Sequence, residues 1–189
     1  MKVGDIIVFD RFEWQILDIR NNQALIITED IVEQCAYHNK YKDTIWVDCA
    51  IRKYLNGEFY EGFDDMNKER IIQVLNNNFD NPWYGTQAGE EGQDRVFLLS
   101  LEEVCRYFGD SIEKLKNRGN NRYWTYKDEN NSKRMAKLKG MYYWWWLRSP
   151  GRNNHLAAYV HGTDGRVGVN GNNITNSNGG IRPALWLKL

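Results

Sequence analysis

The sequence predicts a single α+β domain made of small antiparallel sheets, two or more helices and a loop-rich C-terminal half. Three observations carry this prediction. Eight Trp stand beside eleven Tyr in 189 residues, and rings of that size bury enough area for a core to form with little regular secondary structure. Sixteen Gly against three Pro supply turns that need positive backbone angles, which favours sheets and loops over a helical bundle. Apolar and polar residues alternate near the start of the chain and again near its end, the period of strands.

Residues 3–28 read as three short strands. Ile6 and Val8, then Phe12, Trp14 and Ile16, alternate with polar neighbours, Ala24 to Thr28 follows, and Asp10-Arg11 and Asn21-Asn22 mark the turns. From Thr44 to Asn56 the spacing of Trp46, Cys49, Ala50 and Tyr54 predicts an amphipathic helix, with Gly57 as its left-handed cap. A second short helix follows Asp64 or Asp65, places Ile71 and Ile72 inward and ends before NNNFDNPWYG. Val96 to Leu99 reads as a buried strand. Ser100 and Glu103 then form a capping box for a helix ending at Gly109, and a further helix spans Asp110 to Asn117.

Charge and composition exclude several function classes. With 25 basic and 25 acidic side chains, no global field draws the chain to nucleic acid or an anionic membrane. Lys114 to Lys139 is basic with interspersed aromatics, as in RYWTYK and SKRMAKLKG, a pattern that single-strand binders use. Its acids and asparagines favour a solvated loop or helix face, and no nucleic-acid partner is assigned. No apolar run approaches a membrane span, and MKVGDIIVFD lacks the succession of a secretory signal, so membrane insertion is not expected. Synthesis in the cytoplasm is expected, with the final location open. Cys35, Cys49 and Cys105 are an odd set without metal spacing and read as free thiols, Cys49 in the core.

Catalysis is the sharpest alternative. His155 and His161 lie near Asp164 in sequence, but their spacing matches no helix-borne zinc pattern and both sit in a Gly/Asn-rich stretch, so they read as surface histidines. Cys35 and His38 are the one cysteine-histidine pair adjacent in sequence. GRVGVNG and NSNGG do not join a strand to an amphipathic helix, so no phosphate loop is read and no cofactor is expected. The acceptor patterns Asn130-Asn131-Ser132 and Asn173-Ile174-Thr175 carry weight only in an exported eukaryotic protein.

After Gly140 the composition changes. MYYWWWLRSPG and IRPALWLKL flank an insert rich in Asn, Gly, Ser, Thr, His, Tyr and Arg. Within it Leu156, Ala158, Val160, Val167 and Val169 keep a period of two, enough to pin short strands while alternate side chains face outward. Small hydrogen-bonding groups around a few aromatic anchors are the palette of binding surfaces. Clamping the insert between two apolar walls lowers the ordering loss on binding.

The elements VGDIIVFDRFEWQILDI, TIWVDCAIRKYLNGEFY, DNPWYGT, VFLLSLEEV, YFGDS, WWWLRSPG and GGIRPALWLKL together resemble a bacterial domain-of-unknown-function family, whose terminal part is similar to the variable proteins of diversity-generating retroelements. The resemblance spans nearly the whole chain. It implies a C-type lectin-like fold of the formylglycine-generating-enzyme subclass, a single domain over 1–189 with 152–180 as the variable ligand-binding segment. It also implies binding rather than catalysis. The formylglycine-generating relatives rely on cysteines near the C-terminal region, and here none follows Cys105. Calcium is not assigned, because hard cations need about six oxygen ligands and Asp164 is the single acid of the insert.

In such retroelement systems template adenines are miscopied, so asparagine codons scatter at displayed positions. Asn153, Asn154, Asn170, Asn172, Asn173, Asn176 and Asn178 fit unmutated positions. His155, Tyr159, His161, Thr163, Asp164, Arg166 and Gly168 are each reachable from an asparagine codon through adenine changes, and Arg152 also fits. The expected ligand-binding set is therefore Arg152, Asn153, Asn154, His155, Tyr159, His161, Thr163, Asp164, Arg166, Gly168, Asn170, Asn172 and Asn173. Leu156, Val160, Val167, Val169 and Ile174 would be scaffold. Trp144, Trp145, Trp146, Arg148, Arg182 and Trp186 would support them, with both arginines bonding to loop carbonyls. The expected partner is a protein or carbohydrate, met in several copies on an oligomer, a virion or a cell surface. The alternatives are a lectin or peptide module of fixed specificity and an enzyme related to the formylglycine-generating class.

Overall fold

Strands β1 (Ile6–Phe9), β2 (Phe12–Arg20) and β3 (Gln23–Thr28) form as read, in a computed structural model that describes residues 1–109, 112–121 and 129–189. Asp10, Asn21 and Asn22 make the turns with positive φ, a conformation their short polar side chains tolerate. Trp14 and Ile16 are fully buried as expected, whereas Ile6 and Val8 face solvent and Phe9 is the buried residue of β1. All four residues of β1 are apolar, so alternation cannot choose its inner face. The Phe9 ring chooses it by packing on Trp14 and Phe63, with centroids 6.3 and 5.9 Å away.

After the short β4 (Glu33–Gln34) the helix predicted over Thr44–Asn56 is split. A 3-10 turn covers Trp46–Asp48, Cys49 is extended, and α1 covers Ala50–Tyr54. The Cys49 sulfur accepts the Arg52 N–H and so starts the helix there. Gly57 is not a cap: at φ −111° and ψ −107° it lies inside a π-turn, Leu55–Phe59, through which helical winding continues. The buried stripe is Ile51, Leu55 and Phe59.

Helix α2 (Asp65–Lys68) follows Asp64 as expected, but Ile71 and Ile72 form β5 (Ile71–Ile72) rather than a helical face. Strands β6 (Val74–Asn76) and β7 (Gly92–Asp94) pair as a ribbon. Residues 96–99 are buried without forming a strand, apart from a bridge between Phe97 and Ala184. Side chains occupy the backbone there. The Asn56 carbonyl accepts the Arg95 N–H at 2.7 Å, its amide donates to the Val96 carbonyl at 2.8 Å, and Arg148 takes the Leu98 carbonyl at 2.8 Å, in place of ladder bonds.

The capping box holds: the Ser100 hydroxyl accepts the Glu103 N–H, the Glu103 carboxylate accepts the Ser100 N–H, and α3 (Leu101–Phe108) ends before Gly109. The predicted helix over Asp110–Asn117 is present as α4 (Ile112–Lys116), while Asp110, Ser111 and the RYWTYK stretch, residues 122–127, lie outside the described residues. The other half of the basic region folds into α5 (Asn131–Arg134), β8 (Ala136–Leu138) and β9 (Met141–Tyr143). It is not wholly a solvated face. Arg134 is fully buried and donates from Nε to the Gly165 carbonyl at 2.8 Å.

The remaining strands are β10 (Trp145–Pro150), β11 (Leu156–Val160), β12 (Val167–Asn173), β13 (Gly180–Ile181) and β14 (Ala184–Lys188). One sheet has the order β1-β2-β3-β14-β5, so the C-terminal strand lies beside the N-terminal ones. The intervening chain supplies a second sheet, β12-β11-β10-β13-β4. The structure is thus mixed α+β, with several small sheets and few helices, and buried residues of both sheets and α3 join in one core. Among the described residues no helix is long and apolar enough to cross a membrane.

Candidate recognition face

Strands β10, β11 and β12 carry the insert. Their inner side is apolar: Trp145, Leu147, Ala158, Val160, Val167 and Val169 are fully buried, and Ile174 closes the end. Leu156 is half-buried, because the register of β11 on β12 shifts between Ala157 and Tyr159 and disrupts strict alternation.

The three consecutive tryptophans have different environments. Trp145 donates its indole N–H to the Arg134 carbonyl and Trp146 donates to the Cys35 carbonyl, each at 3.0 Å, and both are fully buried. Trp144 is half-buried and sits edge-on to Trp146 (4.7 Å) and Tyr159 (5.6 Å), with Tyr143 stacked beside it at 6.4 Å. Trp186 is buried in the other sheet, under Arg20.

Both expected support arginines are buried and bond to carbonyls. Arg148 donates to the Leu98 carbonyl at 2.8 Å and forks onto Glu103. Burial pushes the Glu103 carboxyl up, but Arg148 and the Ser100 N–H outweigh it and hold the group below its ordinary range. Arg182 donates from Nε to the Thr28 carbonyl at 2.7 Å, with the Phe108 and Trp145 rings against its guanidinium.

The expected binding residues separate into two groups at opposite ends of β11. At one end His155 stacks on Tyr41 with centroids 4.5 Å apart, and its Nδ1 lies 3.2 Å from an Asp43 oxygen. Asn154 donates to the Gln87 carbonyl at 3.3 Å, while Arg152 and Asn153 are exposed in the same turn. Asn172 and Asn173 reach this end through the pairs Ala157 with Asn172 and Leu156 with Asn173. Several asparagines are occupied by turn formation. Asn153 Oδ1 accepts the His155 N–H, Asn172 Oδ1 accepts the Asn173 N–H, and Asn173 Oδ1 accepts both the N–H and the hydroxyl of Thr175.

At the other end the turn from His161 to Arg166 is held by Asp164. Its Oδ1 meets His161 Nδ1 at 2.8 Å, and its Oδ2 accepts Arg166 Nε at 2.8 Å and NH2 at 2.6 Å. Burial pushes the Asp164 carboxyl up, but the Arg166 and His161 bonds outweigh it and bring it to about 2. Thr163 is exposed at the turn tip. The turn rests on the aromatic row: a Cβ on Gly162 would lie 2.5 Å from the Tyr143 carbonyl carbon and 2.7 Å from the Trp144 nitrogen. Burial, then the Asp164 charge, raises the Tyr159 hydroxyl above its ordinary range.

Two residues of the expected set are not displayed. Gly168 is buried beneath Tyr159, where a Cβ would sit 2.4 Å from the ring, and Asn170 is half-buried with its Oδ1 enclosed and without a partner. His155 and His161 are six residues of extended chain apart, about 20 Å at ~3.3 Å per residue, so they do not converge on one site. No group of three or more His, Cys, Asp or Glu arranged to hold a metal occurs among the described residues. Sequence reading does not reach Tyr41, Asp43 and Gln87, which come from segments far from the insert and carry no local signal of that neighbourhood, whereas Tyr143 lies in the MYYWWWLRSPG block that flanks it.

Fold and site together define a mixed α+β domain whose C-terminal strands carry polar turns beside a half-buried aromatic row. The chain belongs to the family described as Domain of unknown function (DUF6273), whose model matches residues 21–189. No curated protein and no solved structure matches it. The family match begins at the turn between β2 and β3, leaving β1 and β2 outside it.

Proposed function

We propose that the chain is a non-catalytic ligand-binding domain of C-type lectin-like type, a diversity-generating retroelement variable protein whose segment 152–180 bears the binding face. The observation that carries this reading is the row Tyr143, Trp144 and Tyr159 set against the Asp164-organised turn. Rigid half-buried rings beside a pre-ordered charged turn offer contact area at low ordering loss. The preferred end of the face comprises Tyr159, His161, Thr163, Asp164 and Arg166. Arg152, Asn153, Asn154, His155, Asn172 and Asn173 form a second patch. The partner is a protein or a carbohydrate, and multiple copies on an oligomer, virion or cell surface would raise avidity.

Glycan and peptide arrays probed with the wild-type domain and with Trp144→Ala and Arg166→Ala test the assignment. A ligand retained by the wild type and lost by both variants supports it. Ligands that survive both substitutions move the site elsewhere.

The turn bonds of Asn153, Asn172 and Asn173 favour a second reading, a lectin or peptide module of fixed specificity, because side chains that build turns are poor candidates for free variation. Comparison of the coding sequence with any near-copy of its 3′ end separates the two. Mismatches confined to template adenines support diversification, and mismatches spread over all bases support fixed specificity.

A further inference from the structure

Strand β1 lies at the end of its sheet, and no further strand pairs with it among the described residues. Natural edge strands are guarded by charged side chains, proline or a bulge. β1 has none of these: its sequence is IIVF, its register on β2 is unbroken, and the acids Asp5 and Asp10 stand just outside its ends. Exposed apolar side chains also gather here. Of the eleven large apolar residues exposed among the described residues, four, Met1, Val3, Ile6 and Val8, fall within the first eight positions, and Val8 is 75% exposed.

The pairing of β1 with β2 shows which main-chain groups are open. Asp10 and Arg11 form a two-residue turn closed by the pair Phe9 and Phe12, Ile7 pairs with Trp14, and the Asp5 carbonyl accepts the Ile16 N–H at 2.9 Å. Bonded residues alternate in an antiparallel ladder, so Asp5, Ile7 and Phe9 turn their main-chain groups to β2. Ile6 and Val8 turn theirs outward.

A second β1 meets those groups in one register. Antiparallel pairing centred on Ile7 sets Ile6 opposite Val8 twice, which makes four main-chain bonds and brings the two Ile7 side chains together on the inner face. Asp5 then faces Phe9 and Asp10 faces Gly4, so no acid meets an acid. A shift of two residues either way halves the bonds, because the Gly4 N–H is already given to the Ile16 carbonyl at 2.8 Å and Asp10 lies in the turn. The opposite edge of the same sheet, β5, is two residues long and offers β1 of another copy little to pair with. The contact therefore closes as a two-fold pair and does not grow into a filament.

We propose that β1 is the surface through which two copies of this chain associate, joining their N-terminal sheets into one continuous sheet. The contact lies on the sheet that does not carry the insert, and it is independent of what the aromatic row binds.

A contact of one short strand per copy buries less than the ~1,600 Å² of a standard interface, so a reversible monomer–dimer equilibrium with a dissociation constant of about 100 μM is expected. Sedimentation equilibrium of the full chain, run well below and well above that concentration, measures it. Val8→Lys is expected to weaken the dimer about tenfold or more, since it sets a charge against Ile6 of the second copy. Within its own chain the new side chain stands in solvent opposite Glu13, so the fold is kept. Amide hydrogen exchange gives a second readout that needs no variant. The Ile6 and Val8 N–H groups should gain protection as concentration rises, while the Ile7 N–H, bonded to β2, is protected at every concentration. A monomer throughout, which would leave the edge to a strand of a different protein, overturns the proposal. So do a dimer indifferent to Val8→Lys, assemblies larger than a dimer, and Ile6 and Val8 amides already protected in the monomer, which would mean that the chain covers its own edge.

Discussion

Arg148 of β10 and Glu103 of α3 form a forked ion pair, with NH1 on Oε2 and NH2 on Oε1 at 3.0 Å. The same Glu103 carboxylate completes the capping box of α3, so one side chain both starts a helix and fastens it to the sheet that carries the insert.

Glu103→Gln is expected to destabilise the domain by about 3 kcal/mol, because it leaves the Arg148 guanidinium buried without its counter-charge. Urea unfolding at pH 7 measures this, and a loss below about 1 kcal/mol would make the pair no more than a surface contact. The acid limb gives a second readout. Glu103 titrates below its ordinary 4.5 in the folded state, so its contribution is full above that value and is lost as pH falls through the lower folded-state value. Glu103→Gln should flatten that part of the stability profile.

Gly168→Ala is expected to cost about 1–3 kcal/mol by overpacking, since its Cβ would lie 2.4 Å from the Tyr159 ring. Removing the ring should remove the clash. A double-mutant cycle with Tyr159→Ala is the measurement, and strictly additive effects would show that the ring does not set the requirement for glycine.

Arg166→Ala is expected to raise the Asp164 carboxyl from about 2 toward 3.8, by removing the bonds that favour its charged form. A carbon-13 titration of the carboxylate reads this directly. In the wild type the group's stabilising contribution is present above 3.8 and is lost as pH falls toward 2. The variant should keep only the part of that acid-side dependence due to His161 and the backbone N–H of residue 166, and an unchanged titration would mean that the Arg166 side chain does not order the turn.

Asn173→Ala is expected to cost about 1 kcal/mol, because its Oδ1 accepts from both the N–H and the hydroxyl of Thr175. Thermal unfolding beside Arg152→Ala makes the comparison. Arg152 is exposed with no side-chain bond among the described residues, so its removal should be neutral. Equal, negligible effects at both positions would remove the main observation for fixed turns.

Local chemistry was readable without coordinates. The turns at Asp10 and Asn21-Asn22, the Ser100–Glu103 capping box and the strand pair within the insert depend on neighbours a few residues away, and each forms as read. The inner face of β1, the role of Gly57 and the state of residues 96–99 differ from the local reading, because each is set by other parts of the chain: Phe63, the continuing helix, and Asn56 with Arg148. Arg134 belongs by composition to a solvated basic stretch, but the Gly165 carbonyl, 31 residues on, receives it in the core.

The sequence alone determined that the insert has a stiff apolar frame and polar turns, since period-two burial and turn chemistry are encoded locally. Tertiary structure alone decided how those turns are grouped. An extended strand keeps its two ends about 20 Å apart, so His155 joins Tyr41 and Asp43 while His161 joins Asp164 and the aromatic row. The polar segment that reads as one face is two.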